Sequence, residues 1–297
     1  MMRFPIHSAL FLAAAFINAA PAAAQQKVDV RRAVTRDVYV RLNGAYSSLK
    51  VIGWQKDSLV MTGSLPKESR FEPAMGGAGG APVTGVKFYI EGASTADASG
   101  SLELYVPIGA TVWAKSGSAT IDVSGITGGL DLNIVGGSIT VSGNPRELNI
   151  ESMDGNVTVS GAPNWMRAKT ATGDITVRGS VTDLGITTVS GTVSVREGVF
   201  ERTRLESVTG NITFGAGVAR AGSLLVDSHS GTIELQIGKA SLDIDATTIT
   251  GSITNNVSTR RPTPGREGRG EELTLSLGIG DARATLRSFK GNIRLIR

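Results

Sequence analysis

A Gly-centred repeat running from the middle of the chain to its C-terminus most constrains the fold. The repeated segments read GGSITV, DGNVTV, TGDITV, SGTVSV, TGNITF, SGTIEL, TGSITN and KGNIRL. Successive glycines are 18–21 residues apart, except for one step of 40 residues. Because the copies keep one register on both sides of the glycine, we predict a stack of one repeated structural unit. The predicted turn glycines are Gly117, Gly137, Gly155, Gly173, Gly191, Gly210, Gly231, Gly251 and Gly291.

Apolar side chains flank each glycine at fixed offsets: two and four residues after it, and five and seven residues before it. Around Gly155 these are Val157 and Val159 on one side, and Leu148 and Ile150 on the other. Alternation with period two indicates strands that bury one face. We therefore predict that each unit consists of two strands joined at the glycine, which accepts a positive φ without steric cost.

Two all-β architectures satisfy this unit. One is a parallel β-solenoid, or β-helix, of about nine two-strand coils of 18–21 residues. The other is an antiparallel β meander in which each glycine closes a hairpin. A near-constant period places like residues over like residues, which favours the solenoid. Ser or Thr usually stands three residues before the glycine, as at Ser152 and Thr170, and suggests a hydroxyl ladder whose direction the sequence does not fix.

The repeat occupies residues 114–297, and residues 28–113 alternate less regularly. We interpret the earlier region as an N-terminal β region that caps the repeat, because terminal units must cover an open edge. The 40-residue step contains an Arg-rich insertion, residues 258–272, whose composition is typical of a solvated loop. A binding loop is the alternative, through Arg260, Arg261, Arg266 and Arg269. We interpret the alternating segment that follows, residues 273–277, as a truncated coil.

Residues 1–24 have the pattern of a secretory signal peptide. Arg3 precedes a nine-residue apolar run, Ala9 to Ile17, and small residues of Ala-x-Ala type end at Ala24. Nine residues are too few to cross a bilayer, which takes about 20. We expect no transmembrane segment in the mature chain. The predicted location is outside the inner membrane: the periplasm first, with the cell surface or secretion as alternatives.

The residue types present in the chain exclude several kinds of catalytic and metal-binding site. The chain has no cysteine, which excludes disulfides, thiolate metal sites and thiol catalysis. Beyond the predicted signal peptide its one histidine is His229, in a slot held in other copies by Met153, Val189 and Val208, so we interpret it as a packing position. Ser228 and Ser230 flank it because the repeat places them there, not as members of a triad. We expect no catalytic residue, no cofactor and no metal.

The charged residues point to neither nucleic acid nor an acidic active site. The net charge is only +4 and the basic residues are scattered, so we expect no nucleic-acid partner. The acidic residues fall in different columns of the repeat. Asp243 and Asp245 share one strand face opposite the apolar Ile244, as expected of an outward-facing surface.

Several segments resemble a bacterial family of putative adhesins, which are β-strand-repeat proteins of the envelope built on a domain of unknown function. The resemblance lies in LYVPIG at residues 104–109, in the S/T-G-x-I/V-T-V copies, and in VIGW at residues 51–54 followed by LVMTG at 59–63. It covers residues 38–297. It implies strand repeats and an envelope location, and it assigns no catalytic residue.

We therefore expect an exported, non-catalytic, adhesin-like binding or scaffold module whose partner is an unknown envelope protein or glycan. Two alternatives remain open. A β-helical polysaccharide-active enzyme is supported by fold analogy alone. A self-assembling envelope structural protein is the other, because exposed solenoid ends can stack.

Overall fold

The computed structural model describes residues 25–75, 81–92, 100–238, 241–265 and 268–297. The predicted signal peptide, residues 1–24, and Arg266 lie outside these residues. The described chain is all-β, with 22 strands joined in one hydrogen-bonded sheet. Among the residues described, no helix is long and apolar enough to cross a membrane.

The N-terminal strands are β1 (Gln25–Gly44), β2 (Ser48–Trp54), β3 (Ser58–Pro66), β4 (Arg70–Met75), β5 (Val83–Glu91) and β6 (Ser101–Pro107). The next are β7 (Thr111–Ser124), β8 (Gly129–Gly143), β9 (Glu147–Ser152), β10 (Asn156–Gly161), β11 (Trp165–Thr170), β12 (Ile175–Arg178), β13 (Val181–Thr188) and β14 (Val193–Ser207). The C-terminal strands are β15 (Ile212–Ser228), β16 (Ile233–Gln236), β17 (Leu242–Thr248), β18 (Ile253–Asn255), β19 (Thr263–Pro264), β20 (Glu271–Leu277), β21 (Arg283–Ser288) and β22 (Ile293–Ile296).

Equivalent strands of the repeat stack in parallel and in register. The strand after each glycine forms one column, in which Val157 pairs with Ile175, Ile175 with Val193, and Val193 with Ile212. The strand before each glycine forms a second column, which we call the first-strand column, through β9, β11 and β13. This parallel pairing supports the predicted solenoid and excludes a meander for these strands, because hairpin neighbours would be antiparallel.

The apolar offsets of the repeat are the core. Leu148, Ile150, Val157 and Val159 are all fully buried, and their counterparts in the other units form one continuous cluster with them. The burial of one such aliphatic side chain contributes about 1.5–3 kcal/mol. Each unit alone buries too little apolar surface to fold, so stability depends on the stack.

The turn glycines are required for a different reason from the one predicted. Of the nine, only Gly137 has φ in the left-handed region, at 105°. A Cβ placed on Gly191 would instead lie 2.1 Å from the carbonyl oxygen of Gly173 on the neighbouring unit. The same clash recurs along the column, at 2.0 Å for Gly210 against the Gly191 oxygen. Backbone stacked at strand spacing leaves no room for a side chain here.

The Ser/Thr column points inward, and most of its hydroxyls hydrogen-bond to the adjacent glycine turn. The Ser152 hydroxyl donates to the Gly155 carbonyl oxygen at 3.1 Å and accepts the Gly155 N–H at 2.9 Å. Thr188 accepts the Gly191 N–H at 3.0 Å, and Thr170 donates to Thr188 at 3.1 Å, which is one rung of the suggested ladder. Most of these hydroxyls therefore bond within their own turn, and not along the stack.

The last unit in the sequence is not the last in space. Strand β21 pairs in parallel with β15 on one side and with β17 on the other. Strand β22 likewise lies between β16 and β18. The C-terminal unit is thus inserted between two units that precede it in the sequence.

The N-terminal end has a corresponding arrangement. Residues 39–43 of β1 pair in parallel with both β5 and β7, and β2 pairs in parallel with both β6 and β7. The unit formed by β1 and β2 therefore lies between the β5–β6 unit and the start of the repeat. Strands β3 and β4 then run antiparallel across the outer edge, against β6 and β5 respectively.

The segment predicted to be a truncated coil is instead an antiparallel strand. Strand β20 pairs antiparallel with β17, Leu273 opposite Ala246 and Leu275 opposite Ile244. Strand β19, from the Arg-rich insertion, pairs antiparallel with β20. A coil would continue the parallel register, whereas this strand reverses direction because the chain must return to form β21.

Candidate functional site

A column of apolar side chains is exposed along one edge of the stack, and we call it the apolar edge. Its members stand two residues before the turn glycines: Val135, Met153, Val189, Val208, Phe289 and Ile249, each between 39% and 55% exposed. The prediction that this slot is a packing position is wrong. The slot keeps the outward parity of the first strand, since Glu151 and Met153 are exposed on either side of the buried Ser152.

His229 belongs to this column and is exposed. Its ring stacks on Phe289, with the ring centroids 5.2 Å apart and the planes 11° from parallel. The Ser228 hydroxyl donates to the Gly231 carbonyl oxygen at 2.9 Å, and the Ser230 hydroxyl donates to the Val208 carbonyl oxygen at 3.3 Å. Neither serine is directed at the imidazole, so the geometry is that of a surface stack and not of a triad.

Two shallow grooves follow the apolar edge. One has a volume of about 560 Å³ and is bordered by Val208, His229, Phe289 and Ile249. The other, about 440 Å³, is bordered by Val135 and Met153. Outward charges of both signs line the opposite rim of the grooves: Glu206, Asp227 and Arg287 in the first, and Lys115, Glu151 and Lys169 in the second. The Ser/Thr column forms their floor.

A third concavity lies on the outward face of the first-strand column. Its volume is about 200 Å³, and it is lined by three aromatic rings, those of Tyr39, Trp113 and Trp165, together with Asp131 and Asn149. None of these residues was predicted to line a site. The alternation of inward and outward side chains along the strand could have indicated Trp165, because it precedes the inward Met166 and its indole must face outward.

Guanidinium groups back both indoles of this concavity. Arg41 lies over Trp113, with its Cζ 4.3 Å from the ring centroid, and Arg167 lies over Trp165 at 4.7 Å. Arg167 also forms an ion pair with Asp183, in which Nη2 lies 2.7 Å from Oδ1. Arg202 forms a second ion pair with the same carboxylate, in which Nε lies 3.2 Å from Oδ2. Partial desolvation alone would raise the pKa of Asp183, but the hydrogen bonds from the two arginines outweigh it and the pKa lies below its ordinary value.

The acidic residues that the structure describes are also possible metal ligands. In the described part of the chain, no group of three or more His, Cys, Asp or Glu residues is placed to hold a metal ion. Asp243 and Asp245 are half-exposed on one face while Ile244 is fully buried, which confirms the predicted outward face.

The Arg-rich insertion lies over the C-terminal end of the stack. Arg260, Arg261 and Arg269 are exposed, and their predicted binding role stays a prediction. The backbone of the insertion has a structural role: the Asn255 side chain donates to the Arg260 carbonyl oxygen at 2.8 Å. The Glu271 carboxylate accepts the Ile253 N–H of β18, which occupies a donor on that open edge.

These features define a class: an all-β repeat protein with a mainly parallel, solenoid-like stack and open grooves on its sides. The family model described as Toastrack DUF4097 matches residues 86–295, and the chain belongs to that family. The resemblance stated from the sequence, to adhesin-like strand-repeat proteins of unknown function, is confirmed.

Two solved structures are similar to this chain. One is described as a putative cell adhesion protein from Clostridium sporogenes ATCC 15579, with 6% identity, a TM-score of 0.21, and coverage of 92% of this chain and 98% of that one. The other is described as a putative adhesin from Bacteroides fragilis NCTC 9343, with 8% identity, a TM-score of 0.34, and coverage of 92% and 99%. TM-scores this low do not establish a shared function. No curated protein matches the chain.

Proposed function

We propose that this protein is an exported, non-catalytic, adhesin-like module of the cell envelope that binds an envelope protein along its apolar edge. The observation that carries the proposal is the edge itself: six exposed apolar side chains in one column, flanked by grooves. Contiguous exposed apolar surface on a soluble protein marks an interaction site. Scattered single residues would not.

The chemistry of the edge favours a protein partner. Neighbouring levels of a sheet are about 4.8 Å apart, so the edge offers a straight row of aliphatic contacts that a strand or helix of a partner can cover. The mixed charges on the opposite rim of the grooves suit a polar interface rim and would orient the partner. Export is supported by the sequence of residues 1–24, and the absence of catalysis by the scattered acids and the surface position of His229.

The test is binding of purified mature protein to envelopes isolated from the producing bacterium. We expect saturable binding that is lost when Val189→Lys and Val208→Lys are combined. The matched control is Val199→Lys, because Val199 is 51% exposed, like Val189 at 50%, but lies away from the edge. Protease treatment of the envelopes should abolish binding. Binding that survives the edge substitutions, with the fold intact by circular dichroism, contradicts the proposal.

Export and the lack of catalysis have their own tests. Tagged protein should be recovered outside the inner membrane, with its N-terminus at Gln25. Turnover of an envelope polysaccharide by purified protein, lost on substitution of one acidic residue, would instead establish the enzyme alternative.

A further inference from the structure

We propose that the concavity between Trp113 and Trp165 is a saccharide-binding subsite for a neutral or N-acetylated sugar ring of an envelope glycan. It lies on the outward face of the first-strand column, so it does not depend on the apolar edge or on a protein partner. The two surfaces can be tested separately.

The aromatic rings supply the apolar contact that a sugar ring needs. Arg41 comes from the strand on one side of Trp113, and Asp131 stands on the strand on its other side, where the cavity opens. Arg167 is held to Asp183 on the strand beyond Trp165, whereas Glu147 is the neighbour of Trp165 on the cavity side. Each indole is therefore backed by a guanidinium and turns towards the cavity, which fixes its orientation before a ligand arrives.

The spacing suits a chain of sugars better than a compact ligand. Trp113 and Trp165 are three strand levels apart, about 14 Å along the stack. The cavity between them, about 200 Å³, is smaller than the pockets that enclose drug-sized molecules. Gly129 stands in the cavity wall without a side chain, which leaves room for a ring between the two indoles.

Polar groups in the cavity are placed to form hydrogen bonds with sugar hydroxyls. Asp131 Oδ1 accepts Asn133 at 2.7 Å and Asn149 at 3.3 Å, so the carboxylate is positioned by amides and not neutralised by a cation. Within the described residues its Oδ2 has no hydrogen bond, and it offers an acceptor to a sugar hydroxyl. Glu147 is paired with Arg146 at 3.4 Å, so Asp131 is the carboxylate that would repel the carboxylate of an acidic sugar, which favours neutral or N-acetylated rings.

The probes are chitohexaose and cellohexaose, titrated into mature protein by calorimetry, with polygalacturonate as the acidic control. We expect binding of at least one of the two neutral probes and none of polygalacturonate. Trp165→Ala should weaken binding at least tenfold, and Trp165→Phe should retain most of it. Trp165 is 37% exposed, so its removal leaves the core intact.

The third tryptophan provides the matched control. Trp54 packs against Tyr105, with the ring centroids 5.2 Å apart, and donates to the Ser58 carbonyl oxygen, away from the cavity, so Trp54→Phe should leave saccharide binding unchanged. The edge pair Val189→Lys and Val208→Lys should also leave it unchanged. Failure of both neutral probes to bind, or binding that survives Trp165→Ala, overturns the proposal. If the edge variant loses envelope binding but keeps saccharide binding, the result bears only on the proposed protein interface.

Discussion

Gly191 shows how strongly the stack depends on single residues. A methyl group there would lie 2.1 Å from the Gly173 carbonyl oxygen, and the obstacle is backbone that neighbouring units hold in place. The prediction of Gly117 as the first turn glycine is wrong: it lies within β7, and Ala119 is the residue that pairs with Gly137. An added Cβ at Gly117 would have nothing within 4 Å. Two glycines that look equivalent in sequence therefore differ in what they tolerate.

We predict that Gly191→Ala lowers the free energy of unfolding by about 1–3 kcal/mol, because the neighbouring backbone must shift. Gly117→Ala is the control and should be neutral, or stabilising by up to about 1 kcal/mol, because it restricts the unfolded chain. Urea denaturation of both variants measures the difference. Equal destabilisation would mean that the close approach of the Gly173 carbonyl oxygen is not the reason for glycine at position 191.

Asp183 gives the outward face a dependence on pH. Its folded-state pKa lies below its unfolded value near 4, so its contribution to stability is fully present above about pH 4. That contribution is lost as the pH falls through the folded-state pKa. The cause is the pair of arginines, Arg167 and Arg202, that favour the charged carboxylate.

We predict that Asp183→Asn destabilises the protein near pH 7 by about 1 kcal/mol or less, as is typical of partly exposed ion pairs. The difference in stability between wild type and variant should narrow as the pH is lowered from about 7 to about 3, because the wild-type carboxylate loses its charge as the pH falls through its lowered pKa. Denaturation midpoints at the two pH values test this. Asp57→Asn is the control, because its pair with Arg36 is well exposed and should contribute almost nothing.

At the level of strands, the ends of the stack are interleaved with its interior. Strands β21 and β22, the last in the chain, fill the space between units that precede them. In a solenoid stacked in sequence order, the last unit would be removable with little effect on the rest. Here β17 and β18 are joined to the rest of the parallel stack through the last unit, β21 and β22.

We predict that a chain ending at Asp281, which lacks β21 and β22, loses cooperative unfolding and aggregates. Its β15 and β17 would each expose an unpaired parallel edge with apolar side chains. Size-exclusion chromatography and thermal denaturation of the truncated chain check this. A soluble, cooperatively folded product would indicate that β17 can pair directly with β15.

At the scale of the whole molecule, both ends of the stack are protected against further pairing. The outermost N-terminal segment, residues 25–33, carries Lys27, Asp29 and Arg31, and it covers β3, which has no charged residue. Pro73 in β4 and Pro264 in β19 occupy edge strands. Charges and proline on an edge discourage the addition of another strand.

We predict that mature protein is monomeric and that its sedimentation coefficient does not change with concentration. A chain beginning at Arg36 exposes the uncharged edge of β3 and should associate as its concentration rises. Concentration-dependent association of the full mature chain would favour the self-assembling alternative. Sedimentation velocity of both proteins over a range of concentrations distinguishes these outcomes.

The sequence by itself determined the repeated unit. The offsets that bury Leu148, Ile150, Val157 and Val159 follow from period-two alternation, which is a local property of a strand. The outward position of Trp165 follows from the same parity and could have been predicted. Parallel stacking was also predictable, because like residues recur at a nearly constant step.

The tertiary structure alone decided which unit neighbours which, and how the exposed apolar residues of different units line up. Units with the same pattern can pair with one another equally well, so the local pattern cannot show that β21 inserts between β15 and β17. Met153 and Val189 look like core residues by type, but the parity of the preceding strand already points them outward. Alternation acts along a single strand, so both the order of the units and the grooves along the apolar edge arise from contacts between units.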